Sequence, residues 1–316
     1  MKKIKIYPEK RARFKAIKDV SGVQGLPMAI DVTTFSKSLT YTAAIPIAAI
    51  LQDLQQIAAL DQVAEVQQKK FNWLLGISVV VAIMSCFLLA TGVGFILLPL
   101  SVSAAIYSGV QAAKYSRLNV DNARYELLKR LLQMLGRDLQ TGSEIETVLI
   151  LSSPTDKSKK TTTVAHRYRS GWKVDLFEDP WLKLRGRFAD GTRFCMTATE
   201  LGQTAYGWKR GRSGKNKYKS KTKSKGTELA VTLTYSQRKY GAVKVLQDSW
   251  QNAIKLPAGV RLKRVRLTDK GMLLQVTAPP DMTPARDNLY KTVTMMFLSL
   301  YQVLNLARVL SKPKQA

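Results

Sequence analysis

Histidine and cysteine are nearly missing from this chain: one histidine, His166, and two cysteines, Cys86 and Cys195, in 316 residues. That excludes zinc centres of the usual spacing, which take four Cys or His ligands. Two lone cysteines at distant points make no disulfide framework and fit a reducing compartment. His166 sits in the strand-like run Thr163-Val164-Ala165-His166-Arg167-Tyr168, where a solvated or structural role is expected. No phosphate-binding Gly loop, no paired carboxylates at telling spacing and no nucleophile beside a base can be read, and Asp175, Glu178 and Asp179 form a polar turn before Pro180. The expectation is a protein that is not an enzyme, with no cofactor and no metal.

Negative charge is also scarce. Fifty Lys plus Arg face 22 Asp plus Glu, a formal net charge of +28. The excess is concentrated between Ile145 and Pro280, where 28 basic residues meet 10 acidic ones. Such a region must face something anionic: nucleic-acid phosphates, acidic lipids or an acidic protein.

Charge of either sign disappears from Phe71 to Ala113, 43 consecutive residues, and resumes abruptly at Lys70 and Lys114. A bilayer core about 30 Å thick needs roughly 20 apolar residues per helical crossing, so the stretch divides into two crossings, 71–90 and 95–113. The Thr91-Gly92-Val93-Gly94 run is the divider, because glycine turns a chain back sharply. Lys69 and Lys70 precede the pair, Lys114 and Arg117 follow it, and the turn is uncharged, which places both termini on the cytoplasmic side. The basic start Met1-Lys2-Lys3-Ile4-Lys5 leads into no apolar core, so no secretory signal is expected. Both crossings carry small residues four apart, Ser78, Ala82, Cys86 and Ala90 in the first and Ser101, Ala105, Gly109 and Ala113 in the second. Small side chains let helices approach closely in lipid, either the two crossings or copies of the chain in a homo-oligomer.

Around the hairpin, 1–45 reads as a basic arm and linker. Ile47, Ile50, Leu51, Leu54, Ile57 and Ala58 give a helical stripe entering the first crossing. Tyr125, Leu128, Leu131, Leu132, Leu135 and Leu139 give one leaving the second, with Gly142 as its stop, so that 46–142 forms a helical stalk with the membrane hairpin.

From 143 to 284 the period becomes two. Strands are expected over 147–151, 161–168, 172–177, 181–189, 192–199 and 228–235, all rich in β-branched and aromatic residues. Asp190-Gly191 supplies a two-residue hairpin turn, with Gly186 as a possible bulge. Lys183, Arg185 and Arg187 alternate with Leu182, Leu184 and Phe188 before that turn, and Arg193 continues the cationic face after it. A second hairpin, 260–267 with 272–277, carries Arg261, Lys263, Arg264 and Arg266, and its broken alternation implies a bulge at Lys263 and Arg264. Between them Lys209, Arg210, Arg212, Lys215, Lys217, Lys219, Lys221, Lys223 and Lys225 come without one acidic residue. The intervening Ser, Asn, Thr and Gly favour an extended, solvated loop over a strand. Tyr168, Trp172, Tyr206, Trp208 and Tyr218 supply rings that could stack on bases or sit among headgroups. Helices are expected over 241–255, from Val243, Leu246, Trp250 and Ile254, and over 288–310, where an apolar stripe covers the sheet.

The fold class expected is α+β: a transmembrane helical hairpin with a stalk, then a mostly antiparallel, strongly basic domain, then an amphipathic helix from 285 to 316. The function expected is a non-enzymatic integral membrane tether that presents its cationic domain to a polyanion, whether RNA, DNA or a ribonucleoprotein such as a ribosome. The alternative is a membrane scaffold or oligomeric subunit whose basic domain lies on anionic lipid headgroups.

Overall fold

The computed structural model describes residues 32–89, 92–140, 142–241, 243–248, 250, 253–280 and 286–310. The basic arm expected at the N-terminus and Ala90 of the first small-residue row lie outside them. Two compact units emerge, Gln52–Asn122 with the residues up to Leu39, and Thr40–Leu51 with the residues from Ala123 on.

The first unit is a helical hairpin. After a short helix α1 (Val32–Ser38), the strand β1 (Thr40–Pro46) leads into α2 (Ile47–Phe87), and α3 (Gly94–Leu118) returns. The turn falls where the glycines predict it. Gly94 is obligatory there, since a Cβ on it would stand 2.5 Å from the Ser85 carbonyl oxygen. The seam runs through Phe71, Leu75, Ser78, Ala82 and Ser85 on α2, and through Gly94, Ser101, Ala105, Ser108 and Ala112 on α3. Apart from the seven-residue step from Gly94 to Ser101, these positions alternate steps of three and four, the spacing that keeps one line of a helix facing its neighbour. A strict step of four drifts off that line, which is why Cys86 and Ala113 point outward while Ser85 and Ala112 take their places. Gly109, half-buried, lies opposite Leu75. Hydroxyls on the seam bond within their own helix, Ser78 to the Leu74 carbonyl at 2.8 Å and Ser108 to the Ala104 carbonyl at 2.8 Å. Phe71 stacks on Tyr115 with centroids 5.7 Å apart, and below it the Val120 amide donates to the buried Asp61 carboxylate at 2.9 Å. Outside, Trp73, Val80, Phe87, Phe95, Ile96 and Ile106 are exposed.

The second unit is one eight-stranded antiparallel sheet with helices on one face. Its further elements are α4 (Asn122–Leu135), β2 (Glu144–Ile150), β3 (Lys160–Ala165), β4 (Lys173–Arg187), β5 (Arg193–Arg210), β6 (Asn216–Thr234), β7 (Arg261–Leu267), β8 (Gly271–Ala278) and α5 (Arg286–Leu310). Strand order is β1-β2-β4-β5-β6-β8-β7, with β3 beside the first half of β4. Alternate residues of each strand point to a buried face: Ile145 and Leu149 on β2, Leu182 and Leu184 on β4, Met196 and Ala198 on β5, Leu229 and Val231 on β6, Leu274 and Val276 on β8. Against it lie the stripes of α4, with Leu128, Leu131 and Leu132, and α5, with Val293, Met296, Leu300 and Leu304. An antiparallel sheet covered on one side leaves its other face to water.

The α+β class and the antiparallel sheet agree with the sequence pattern, and several details do not. The helix after the hairpin breaks at Asn119, starts again at Asn122 and ends at Leu135, well before Gly142. β1 was not legible, and the two strands read over 172–189 are one, with a register slip at Trp181; Gly186 is in register opposite Phe194 and makes no bulge. The β4–β5 turn holds three residues between Phe188 and Thr192, and only Gly191 takes a positive φ. Asp190 instead caps the turn by accepting from the Thr192 amide at 2.7 Å. Where a helix is expected over 241–255, the described residues hold a 3-10 segment, Val243–Asp248, which follows a single helical turn, Gln237–Tyr240, and Gly241 at positive φ. The slip at Lys263 lies where the broken alternation puts it.

The largest correction concerns the lysine-rich loop, which is a β-hairpin. β5 runs on to Arg210 and β6 begins at Asn216, so only Gly211 to Lys215 turn. Tyr218 and Thr222 between the lysines are good strand residues, and the opposite strand pairs Trp208 with Tyr218, Tyr206 with Ser220 and Thr204 with Thr222.

Among the described residues, three segments are long and apolar enough to cross a membrane by length and composition: Ile47–Phe87, Gly94–Leu135 and Asp287–Leu310. They differ in what they bury. Their most apolar windows are 11%, 17% and 44% buried, the third being α5 against the sheet.

Candidate polyanion interface

Registers across β4, β5, β6, β8 and β7 bring the two predicted cationic hairpins onto one face. Arg187 pairs with Arg193, Arg185 with Cys195, and Lys183 with Thr197, all opposite to the buried Leu182, Leu184 and Met196. Through Thr232 and Ala230 on β6 and Leu273 and Gln275 on β8, the same face reaches Arg266 and Arg264, and at the far edge Arg261. Lys209, Lys217, Lys219, Lys221 and Lys223 continue it, because β5 alternates without a break from Arg193 to Lys209. Arg210 points to the other side, Arg212 and Lys215 lie in the turn, Lys225 falls at the β5–β6 bulge, and Lys263 at the β7 bulge. All these cations are exposed except the half-buried Lys183.

The face is not uniformly positive. Glu144, Glu146, Glu178 and Glu228 share it by register. Glu146 lies 3.4 Å from Arg185 and 3.9 Å from Lys183, and Glu228 pairs with Lys263. Such exposed pairs are worth little in stability, about 0 to 1 kcal/mol, so the cations remain available to a stronger anion. Between the charges lie mostly short side chains, Cys195, Thr197, Thr199, Ala230 and Thr232, with Leu273 and Gln275 on β8.

At one end β3, β4, β5 and β6 extend past the helices as a four-stranded wing. Trp172 lies over Gly207, where a Cβ would sit 2.7 Å from its ring, and its indole nitrogen donates to the Trp208 carbonyl at 3.0 Å. His166 and the Arg169 guanidinium pack on the same indole, the latter 4.6 Å from the ring centre, so the only histidine is part of a turn. The other side of the wing holds Tyr206, Trp208 and Tyr218. There burial pushes the Asp175 carboxyl up, but hydrogen bonds from Lys160, Thr163 and Tyr206 outweigh it and hold the carboxyl below its usual range.

Two polar clusters gave no sequence signal. Arg124 at the start of α4 is buried between Asp179, at 2.7 Å, and Glu200, at 2.8 Å, while Lys159 reaches Asp179 at 2.8 Å. It also donates to the Ile150 carbonyl at 3.0 Å and lies over the Trp181 ring. Two cations balance two carboxylates, so the cluster fastens helix to sheet. Asp190 at the β4–β5 turn collects the hydroxyls of Thr192, Tyr240 and Tyr301. Arg124 reaches its partners across 26 to 76 residues, and Asp190 reaches Tyr240 and Tyr301 across 50 and 111, contacts that only folding creates.

A recess of about 500 Å³ beside β7 is lined by Lys244, Trp250, Val265, Arg266, Leu267, Thr268 and Asp269. Among the described residues no three His, Cys, Asp or Glu side chains gather as a metal site. No family model, curated protein or solved structure matches this chain, so the chemistry of the face rests on its own residues.

Proposed function

We propose that this protein is a non-enzymatic membrane tether: α2 and α3 cross the bilayer as a hairpin, and the sheet offers its open face to RNA, DNA or a ribonucleoprotein. The observation that carries the polyanion reading is the gathering of both cationic hairpins and the lysine strand on one uncovered face. The membrane reading is supported by the inverted build of the α2–α3 hairpin, with serine and alanine inside and Trp73, Phe87, Phe95 and Ile96 outside. Contiguous apolar surface of that extent is not left in water. Lys69, Lys70, Lys114 and Arg117 flank the apolar stretch, and this bias supports a cytoplasmic side for both ends of the hairpin. α5, apolar enough to span, belongs with the sheet because its stripe is already covered.

The test is the salt dependence of binding. Each phosphate neutralised contributes about 0.7 to 0.9 to the slope of log affinity against log salt, so a steep slope is expected for single-stranded or duplex probes. Replacing Lys217, Lys219, Lys221 and Lys223 by Gln should flatten it and leave the fold intact. A flat response in the unaltered protein would refute the reading. The scaffold alternative draws less support, because Ser78, Ala82, Ser101 and Ala105 are used between α2 and α3 within one chain.

A further inference from the structure

The lysines of β6 have a simple explanation that does not involve a ligand. β8 pairs only with Thr227–Thr234, so from Asn216 to Lys225 β6 is a sheet edge, and lysines on an edge keep other strands from pairing with it. The rings beside them have no such explanation. Trp208 is 65% exposed and Tyr218 55% exposed, so neither serves as filling for the fold. They stand opposite each other in register, 5.5 Å apart and edge to face, and Tyr206 follows at 6.2 Å from Tyr218. An edge-to-face pair leaves ring surface open to a third flat partner. Lys173, across from Tyr206, is on the ring side, and the lysine row is on the reverse side of the same edge.

We infer that this edge of the wing is a stacking platform for single-stranded RNA, with unpaired bases on Trp208 and Tyr218 and phosphates on the β6 lysines and Lys173. The inference rests on the polyanion reading and narrows it. Alternate residues of a strand are about 6.8 Å apart, so the lysine row is spaced to follow a polynucleotide backbone along its length. A duplex hides its base faces and offers nothing to these rings. Because the face is placed in the cytoplasm, the unpaired polynucleotide at hand is RNA.

The experiment is fluorescence anisotropy with the full-length protein in detergent micelles and a labelled oligouridylate of about 16 nucleotides. The double substitution W208A/Y218A is expected to lower affinity at least about tenfold with an unchanged salt slope, and W208F/Y218F to restore it. A matched duplex should be bound equally by all three proteins. If W208A/Y218A binds oligouridylate normally while the lysine-to-glutamine protein does not, stacking is refuted and the polyanion reading stands. If no nucleic acid is bound with salt dependence, both fall. Tighter binding of oligothymidylate would overturn the assignment to RNA. So would loss of oligouridylate binding in favour of a Trp208-dependent emission shift on nanodiscs containing phosphatidylserine, taken as the difference from W208F.

Discussion

The two units of this chain bury opposite things. Between Ser78 and Ala112 the α2–α3 hairpin has serine, alanine and glycine inside and large apolar side chains outside; in the sheet unit leucine, methionine and valine are inside and lysine and arginine outside. Each buries what the other exposes, the contrast expected if, as proposed, the hairpin meets lipid and the sheet meets water. The buried polar groups differ too. Seam serines bond to their own helix, whereas Arg124 joins α4 to β4 and β5.

That difference sets the largest expected effect. Arg124→Met leaves the Asp179 carboxylate without its arginine and should cost about 3 to 5 kcal/mol, read as a fall in the thermal unfolding of the full-length protein followed by near-ultraviolet circular dichroism. Replacing Arg124, Lys159, Asp179 and Glu200 together with apolar residues should cost less than that single change, because no charge is then stranded. Ser108→Ala, by contrast, should change stability by less than about 1 kcal/mol, since its hydroxyl serves only its own turn. Equal losses for Arg124→Met and Ser108→Ala would erase the distinction.

The next effect separates the two surroundings. Val80→Arg, on the exposed side of α2, should oppose insertion by about 2.5 to 3.5 kcal/mol and reduce the protein that resists alkaline extraction from membranes. Thr232→Arg, on the open face of the sheet, should alter stability by no more than about 0.5 kcal/mol. If Val80→Arg is as silent, the outer face of the hairpin does not meet lipid.

How far the sequence foretold these regions follows the reach of the forces in each. Period and charge are local, so the apolar stretch, its glycine turn, the α5 stripe and both arginine-bearing hairpins could be read directly. The seam could be placed only roughly, because a row of small residues four apart and the true line of alternating threes and fours share Ser78, Ala82, Ser101 and Ala105 before they part. β1 could not be read, since its pairing with β2 closes over a hundred residues. The lysine strand looked like a loop because repulsion along it is local, while the pairing with β5 that orders it is not. Gly186 shows the same limit: it reads as a bulge but is an approach, with the Phe194 ring 2.7 Å from where a Cβ would be. Gly186→Ala should therefore cost about 1 to 3 kcal/mol in denaturant unfolding, where a true bulge would tolerate it.

The smallest effect is one of pH, and it too divides the units. At Asp190, burial pushes the carboxyl up, but the hydrogen bonds from Tyr240 and Thr192, with Lys239 nearby, outweigh it and hold the carboxyl below its ordinary value. A lowered acid stabilises the fold above its unfolded value of about 4 and loses that contribution as pH falls through the folded value. Tyr240 and Tyr301 are raised, first by burial and then by the Asp190 charge, so their contribution holds below about 10 and is lost as pH climbs above it. The sheet unit should therefore be most stable on a plateau between those limits. Asp190→Asn should flatten the acid side and Tyr301→Phe the alkaline side in melts recorded across pH. The hairpin has no carboxylate between Phe71 and Ala113, so its helical signal should persist in acid after the near-ultraviolet signal of the sheet unit has fallen. Joint loss of both signals would mean that the helices depend on the sheet and that the two units do not answer to separate solvents.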